Sequence, residues 1–141
     1  MKPHLEEAER MLQLADRDIK AFEILKEEPE AHISIVGFHA QQAVEKSLKA
    51  VLFSQQIEFE RIHDLVKLGN MISDQGIVLP VKEDQLRRLN PFAVTFRYDD
   101  MEITLASKED TALLVADIRR WAEEQVNKAT ESEQSNGPTD H

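Results

Sequence analysis

Between residues 33 and 51 the chain sets Ile33, Val36, Ala40, Ala43, Val44, Ser47, Leu48 and Val51 at steps of one, three and four. At about 100° per residue these positions sweep an arc wider than a surface helix uses. A helix with so broad an apolar face must be enclosed by neighbours. The segment from about 30 to 56 is therefore expected at the centre of a helical bundle, with Gly37 and the alanines allowing close approach of a neighbouring backbone.

The flanking segments supply the enclosing helices. Residues from about 4 to 27 carry Leu5, Ala8, Leu12, Ala15, Ile19, Phe22 and Leu25 on one face and charged residues opposite, which predicts an amphipathic first helix. Pro29 ends it and fits the first turn of the next helix. "IEFERIH", residues 57 to 63, reads as a loop. Asp64 is then the N-cap of a third helix bearing Leu65, Leu68, Met71 and Ile72, and Gly76 stops it. "IVLPVKED" has the residues of a strand but no partner of matching pattern, and a lone strand is not stable, so it is a connection. A fourth helix spans about 82 to 90 with Leu86 and Leu89. "NPF" interrupts it, and "AVTFRYDD" follows as an irregular or short helical passage. Ser107 with Asp110 resembles a capping box before a last helix holding Leu113, Leu114, Ala116, Ile118, Trp121, Ala122 and Val126. Beyond Lys128, "ATESEQSNGPTDH" lacks apolar anchors, so residues 129–141 read as a disordered polar tail on one domain of residues 1–128. The expected fold is all-α, an up-and-down bundle of four to five helices. The sequence has no internal repeat and no sustained heptad.

Composition narrows the function classes. A chain of 141 residues with four glycines and five prolines is of single-domain size and sparsely punctuated. With no cysteine, it has no disulfide, thiolate metal site or cysteine nucleophile. "MKPHLEEAERMLQ" has no secretory apolar segment, and no stretch approaches the roughly 20 apolar residues needed to cross a bilayer. A cytoplasmic location is expected. The 27 acids against 17 bases give a net charge of -10, which repels a phosphate backbone at long range. A lone chain is thus unsuited to broad nucleic-acid binding, though a small, shaped basic pocket is compatible with it.

Three polar clusters are candidates for such a pocket. His39, Gln42, Lys46 and Lys49 fall in one quadrant of the second helix, beside its apolar arc, in a stripe roughly 15 Å long. Lysines there would supply point charges for a phosphate, and His and Gln directional hydrogen bonds. Equally, such residues can line the border of a buried helix. In "ERIHDL", Arg61 and His63 precede the third helix, where a helix N-terminus and a guanidinium both favour an anion. In "FRYDD", Arg97 and Tyr98 join Asp99 and Asp100, and the surrounding large apolar residues favour burial of Arg97 with several partners. The histidines do not suggest a metal site. His-Glu-x-x-His is absent, and His32 and His39 lie two turns apart, too far for one zinc. No cofactor is called for.

In these clusters the chain resembles the HEPN family, the higher eukaryote and prokaryote nucleotide-binding domain, over about residues 5 to 127. The resemblance rests on "HAQQAVEKSLKAVL" in the second helix, on "HDL" followed by "VKLGNMI", and on the late "RYDD". It implies a four- or five-helix bundle that pairs into a homodimer, with His39, Gln42, Lys46, Lys49, Arg61, His63, Arg97, Tyr98 and Asp99 gathered to bind a nucleotide or RNA phosphate at the cleft between protomers. It also implies a minimal nucleotidyltransferase as partner, often in a toxin and antitoxin pair. RNA-cutting members carry Arg, four to six residues, then His. That motif is missing: Arg97 is followed at those distances by Glu102, Ile103 and Thr104. Three functions therefore stay open: a nucleotide-binding accessory domain, a metal-independent toxin ribonuclease, and a dimeric adaptor that binds no ligand. Whether the chain is an enzyme, and whether Tyr98 is modified, the sequence leaves undecided.

Overall fold

The computed structural model describes residues 1–93 and 107–135. Among these, five α-helices and no strand form the bundle: α1 (Pro3–Lys26), α2 (Ile33–Ser54), α3 (Leu65–Ser73), α4 (Glu83–Leu89) and α5 (Lys108–Ser135), with a 3₁₀ turn at Asn90–Ala93 after α4. The all-α expectation holds. Helix α2 is the central element, packed against α1, α3, α5 and the 3₁₀ turn, and 13 of its 22 residues are buried.

Local chemistry sets where the helices begin. Pro3 stands at the first position of α1, where a missing N–H costs nothing. Pro29, by contrast, does not open α2. Residues 27–32 form a turn, and α2 begins at Ile33, where His32 Nδ1 accepts from Ser34 N at 3.1 Å as the N-cap. Asp64 caps α3 as its sequence predicts, Oδ1 accepting from Val66 N at 2.9 Å. The "NPF" break has a structural use that spacing does not reveal. Asn90 Oδ1 takes Leu65 N and its Nδ2 donates to Asp64 Oδ1, both at 2.9 Å, tying the end of α4 to the start of α3. Ser107 supplies the N-cap half of the expected box, its Oγ accepting from Asp110 N at 3.0 Å. In the connection between α3 and α4, Gly76 takes φ +81°, and the Val78 carbonyl accepts from Trp121 Nε1 at 3.0 Å rather than from a strand.

Burial corrects two expected apolar rows. In α1, Leu5, Ala8, Leu12, Ala15 and Phe22 are buried, but Ile19 is only half-buried, and Asp18 lies in the interior beside the row. In α5 the buried set is Thr111, Leu114, Val115, Ile118, Trp121, Ala122 and Val126, while Leu113 and Ala116 face outward. The helical period explains both exposures, since Leu113 and Ala116 stand roughly half a turn from Ile118 and Leu114 respectively. Residues 129–135, expected in a disordered tail, are helical instead. They continue α5, Thr130 Oγ1 donating to the Val126 carbonyl at 3.0 Å and Glu133 pairing with Lys2 at 3.0 Å. A charged segment without apolar anchors can thus extend a helix already nucleated by packing. Residues 136–141 lie outside the described ones.

Helix α1 is locked to α5 by Arg119, which donates to both Asp16 oxygens at 2.8 and 3.0 Å and to Glu123 at 2.9 Å. Partial burial works against the Arg119 charge, yet those hydrogen bonds outweigh it and raise its pKa. Of the glycines, Gly37 has the closest neighbour, since a Cβ there would overlap the Phe92 ring. The neighbour that requires this glycine is an aromatic ring, not a backbone. Phe92 is itself fully buried, so the ring has no free direction to move. Gly37→Ala is expected to lower stability by about 1–3 kcal/mol through overpacking, read as a fall in urea midpoint with unchanged slope. An unchanged midpoint would show that the 3₁₀ turn yields freely.

Candidate functional site

Because α2 is enclosed on most sides, its polar residues share one remaining wedge. His39, Gln42, Lys46 and Lys49 all lie there, half-buried, as their spacing predicts. They are not free donors. His39 Nδ1 lies 3.0 Å from Asp18 Oδ1, and Lys46 Nζ donates to Asp18 Oδ2. Asp18 comes from α1 and is only 8 % exposed, so one buried carboxylate takes an imidazole and an ammonium two helical turns apart on α2.

A second carboxylate repeats the arrangement. Glu45, 4 % exposed, accepts from Lys49 Nζ at 2.9 Å and lies 3.0 Å from His63 Nδ1, both through Oε2. Its Oε1 accepts from Gln41 Nε2 at 3.1 Å, while Gln41 Oε1 accepts from Gln42 Nε2 at 2.7 Å. The doubled glutamine thus has a physical reason. Gln41, fully buried, aims Glu45, and Gln42 satisfies the remaining oxygen of Gln41. Among the described residues no buried side-chain nitrogen or oxygen lacks a partner. The Lys49 ammonium also stands 5.7 Å from the centre of the Phe59 ring, a cation–π distance.

Of the other predicted site residues, His63 joins this network through Glu45, whereas Arg61 is exposed and has no ion pair among the described residues. Arg97, Tyr98 and Asp99 lie outside the described residues. Asp18, Glu45 and Gln41 were not among the expected site residues. Their signal was present: Asp18 stands three residues after Ala15 and four before Phe22, a carboxylate at the edge of an apolar row, and Glu45 follows Gln41 by one helical turn.

Among the described residues, cavities open elsewhere. One of about 290 Å³ is lined by residues including Val81, Arg88, Leu89, Thr111 and Leu113, and one of about 480 Å³ lies between α3 and the segment around Val78. Neither includes a residue of the α2 stripe, so a ligand at that stripe would lie against a helix face rather than in either hollow. Among the described residues no group of three or more His, Asp or Glu side chains is placed to hold a metal ion, and no helix is long and apolar enough to cross a membrane.

A five-helix bundle organised around one central helix, with paired His and Lys on that helix, defines a class of small all-α domain. The HEPN domain family profile matches residues 8–131, and the chain belongs to that family. No curated protein and no solved structure matches it. At the family level, membership supports a nucleotide- or RNA-related function.

The Glu45 network predicts strong coupling. Glu45→Ala removes the shared acceptor of Lys49 and Gln41 and is expected to cost about 3 kcal/mol, whereas Lys49→Ala in that background costs little more. Urea unfolding of the two single variants and the double variant measures this, and fully additive losses would show that the pair is not coupled.

Proposed function

We propose that this chain binds a nucleotide or RNA phosphate at the α2 face, in a cleft completed by a second copy, and that it works with a minimal nucleotidyltransferase partner. The observation that carries the reading is the pairing of two imidazoles and two ammonium groups by two buried carboxylates, with His39, Lys46 and Lys49 on α2 and His63 on the loop before α3, in a chain of the HEPN family. The stripe has no hollow of its own in either cavity described above, which favours a site that needs a second surface. An exposed apolar side chain in line with it suits such a contact: Ile35, 45 % exposed, begins the helical row that continues through His39, Gln42 and Lys46.

Arg97, Tyr98 and Asp99 complete the proposed ligand set with Arg61. The Arg-to-His spacing of the ribonuclease branch is absent, so binding without cleavage is the reading preferred here. The engagement of both lysines by carboxylates favours one alternative, a dimeric adaptor whose stripe is a structural charge frame. Calorimetry with ADP and a short oligoribonucleotide, alongside sedimentation, separates the two. Binding by a dimer is expected, weakened roughly 10- to 100-fold by His39→Ala, the loss appropriate to a charge-assisted hydrogen bond. A dimer that gives no heat with either ligand would leave the adaptor. A monomer would remove the cleft.

A further inference from the structure

We propose that Asp18 and Glu45 are positioning residues, each holding one imidazole, His39 or His63, with Nδ1 turned inward as donor and Nε2 turned outward as the ligand-facing atom. This rests on the reading of the α2 face as a binding site and specifies which atoms of it meet the ligand.

A carboxylate oxygen offers only lone pairs, so the ring nitrogen 3.0 Å from it must carry the hydrogen. In the neutral ring that places the hydrogen on Nδ1 and leaves Nε2 with a lone pair, because the partner of one ring nitrogen sets the state of the other. The reach of each acid is fixed from behind. Asp18 Oδ2 is held by Lys46, and Glu45 is held by Lys49 on Oε2 and by the buried Gln41 amide on Oε1. Phe38 meets the His39 ring edge-on, with centroids 5.4 Å apart, and further limits its rotation.

Stability alone gives little reason for this arrangement. Apolar residues of similar volume serve a core as well as a buried ion pair, or better. The same device nevertheless occurs twice with different sources, once with an α1 acid and two α2 bases, once with an α2 acid, an α2 lysine and a loop histidine. In both cases the lysine charge is directed at the acid, and the histidine keeps an unbonded second nitrogen among the described residues. Both imidazole rings keep solvent access, that of His63 more than that of His39. A neutral ring so held presents an acceptor, suited to a ligand hydroxyl or amine, and a protonated ring presents a donor, suited to a phosphate oxygen.

The test reads the rings directly. Nitrogen-15 NMR of the imidazoles in the full chain, followed through a pH titration, is expected to show the neutral form of His39 and His63 protonated mainly at Nδ1, the reverse of histidine in water. Asp18→Asn should return His39 toward the Nε2-protonated form while His63 is unchanged, because the amide oxygen goes to Lys46 and the amide nitrogen faces His39. Glu45→Ala, which takes away the one oxygen shared by Lys49 and His63, should do the converse. Wild-type rings protonated mainly at Nε2, or tautomers indifferent to both substitutions, overturn the proposal. Should Asp18→Asn fail to fold, the wild-type signature and Glu45→Ala still decide it. Calorimetry with ADP adds the functional arm. Asp18→Asn should weaken binding about as much as His39→Ala, with no further loss in the double variant, and independent losses would show that Asp18 does not act through His39. Absence of ADP heat in the wild type would remove the binding reading but leave the tautomers to judge the positioning.

Discussion

The enclosure of α2 governs this molecule. A helix with 13 of 22 residues buried can present polar groups to water over only a narrow wedge, and a polar group that strays inside must find a partner. Val36, Ala40, Ala43, Val44, Leu48 and Val51 are fully buried or nearly so, so α1, α5 and the α3–α4 side approach on separate flanks. Gln41 and Glu45 lie on the buried margin of the wedge. The cost of desolvating them is offset only because each oxygen and amide hydrogen has a definite destination. Packing and polar pairing are therefore one constraint, and a change to either propagates along the same helix.

Much of the architecture was legible in the sequence because it follows from period and punctuation. The arc of residues 33 to 51 identifies the central helix, Asp64 its neighbour's cap, and Gly76 the stop. The errors came where period alone underdetermines the face. With Ile19 and Asp18 adjacent, hydrophobicity chooses the isoleucine, but the rotation of α1 that seats Ala15 and Phe22 carries Asp18 against α2. In α5 the doublet Leu113–Leu114 allowed two phases, and Trp121, anchored to the Val78 carbonyl, belongs to the phase that buries Val115. The true start of α2 depended on a histidine acting as N-cap, a role usually sought in Ser, Thr, Asp or Asn.

The site was legible in part for a different reason. Helical spacing brings His39, Gln42, Lys46 and Lys49 to one wedge whatever the rest of the chain does. Glu45 and Gln41, which engage Lys49 and Gln42, share that helix, but the rest of the network comes from elsewhere: Asp18 lies 28 residues before Lys46, and His63 is 18 residues after Glu45. Such contacts depend on how helices dock, which no single-helix period contains. "HAQQAVEKSLKA" holds no acid that answers His39 and Lys46, because that carboxylate, Asp18, is in another helix.

These pairings alter how the site can attract an anion. Each carboxylate cancels the charge of its lysine, so with neutral rings the two clusters add no net positive charge to a chain that already carries -10. Long-range steering toward phosphate is then weak, and beyond a Debye length of about 8 Å at physiological salt it is screened in any case. Recognition of the proposed ligand at this face would therefore have to act at contact distance, through aimed hydrogen bonds rather than a field. The same reasoning bears on the proposed pairing of two chains. Their like charges oppose approach, and the attraction that overcomes this has to be short-ranged, as burial of Ile35 would be. A ligand placed between two such faces would meet ring nitrogens paired to buried carboxylates on an otherwise acidic surface, which would select for fit and discriminate against anions that offer charge alone.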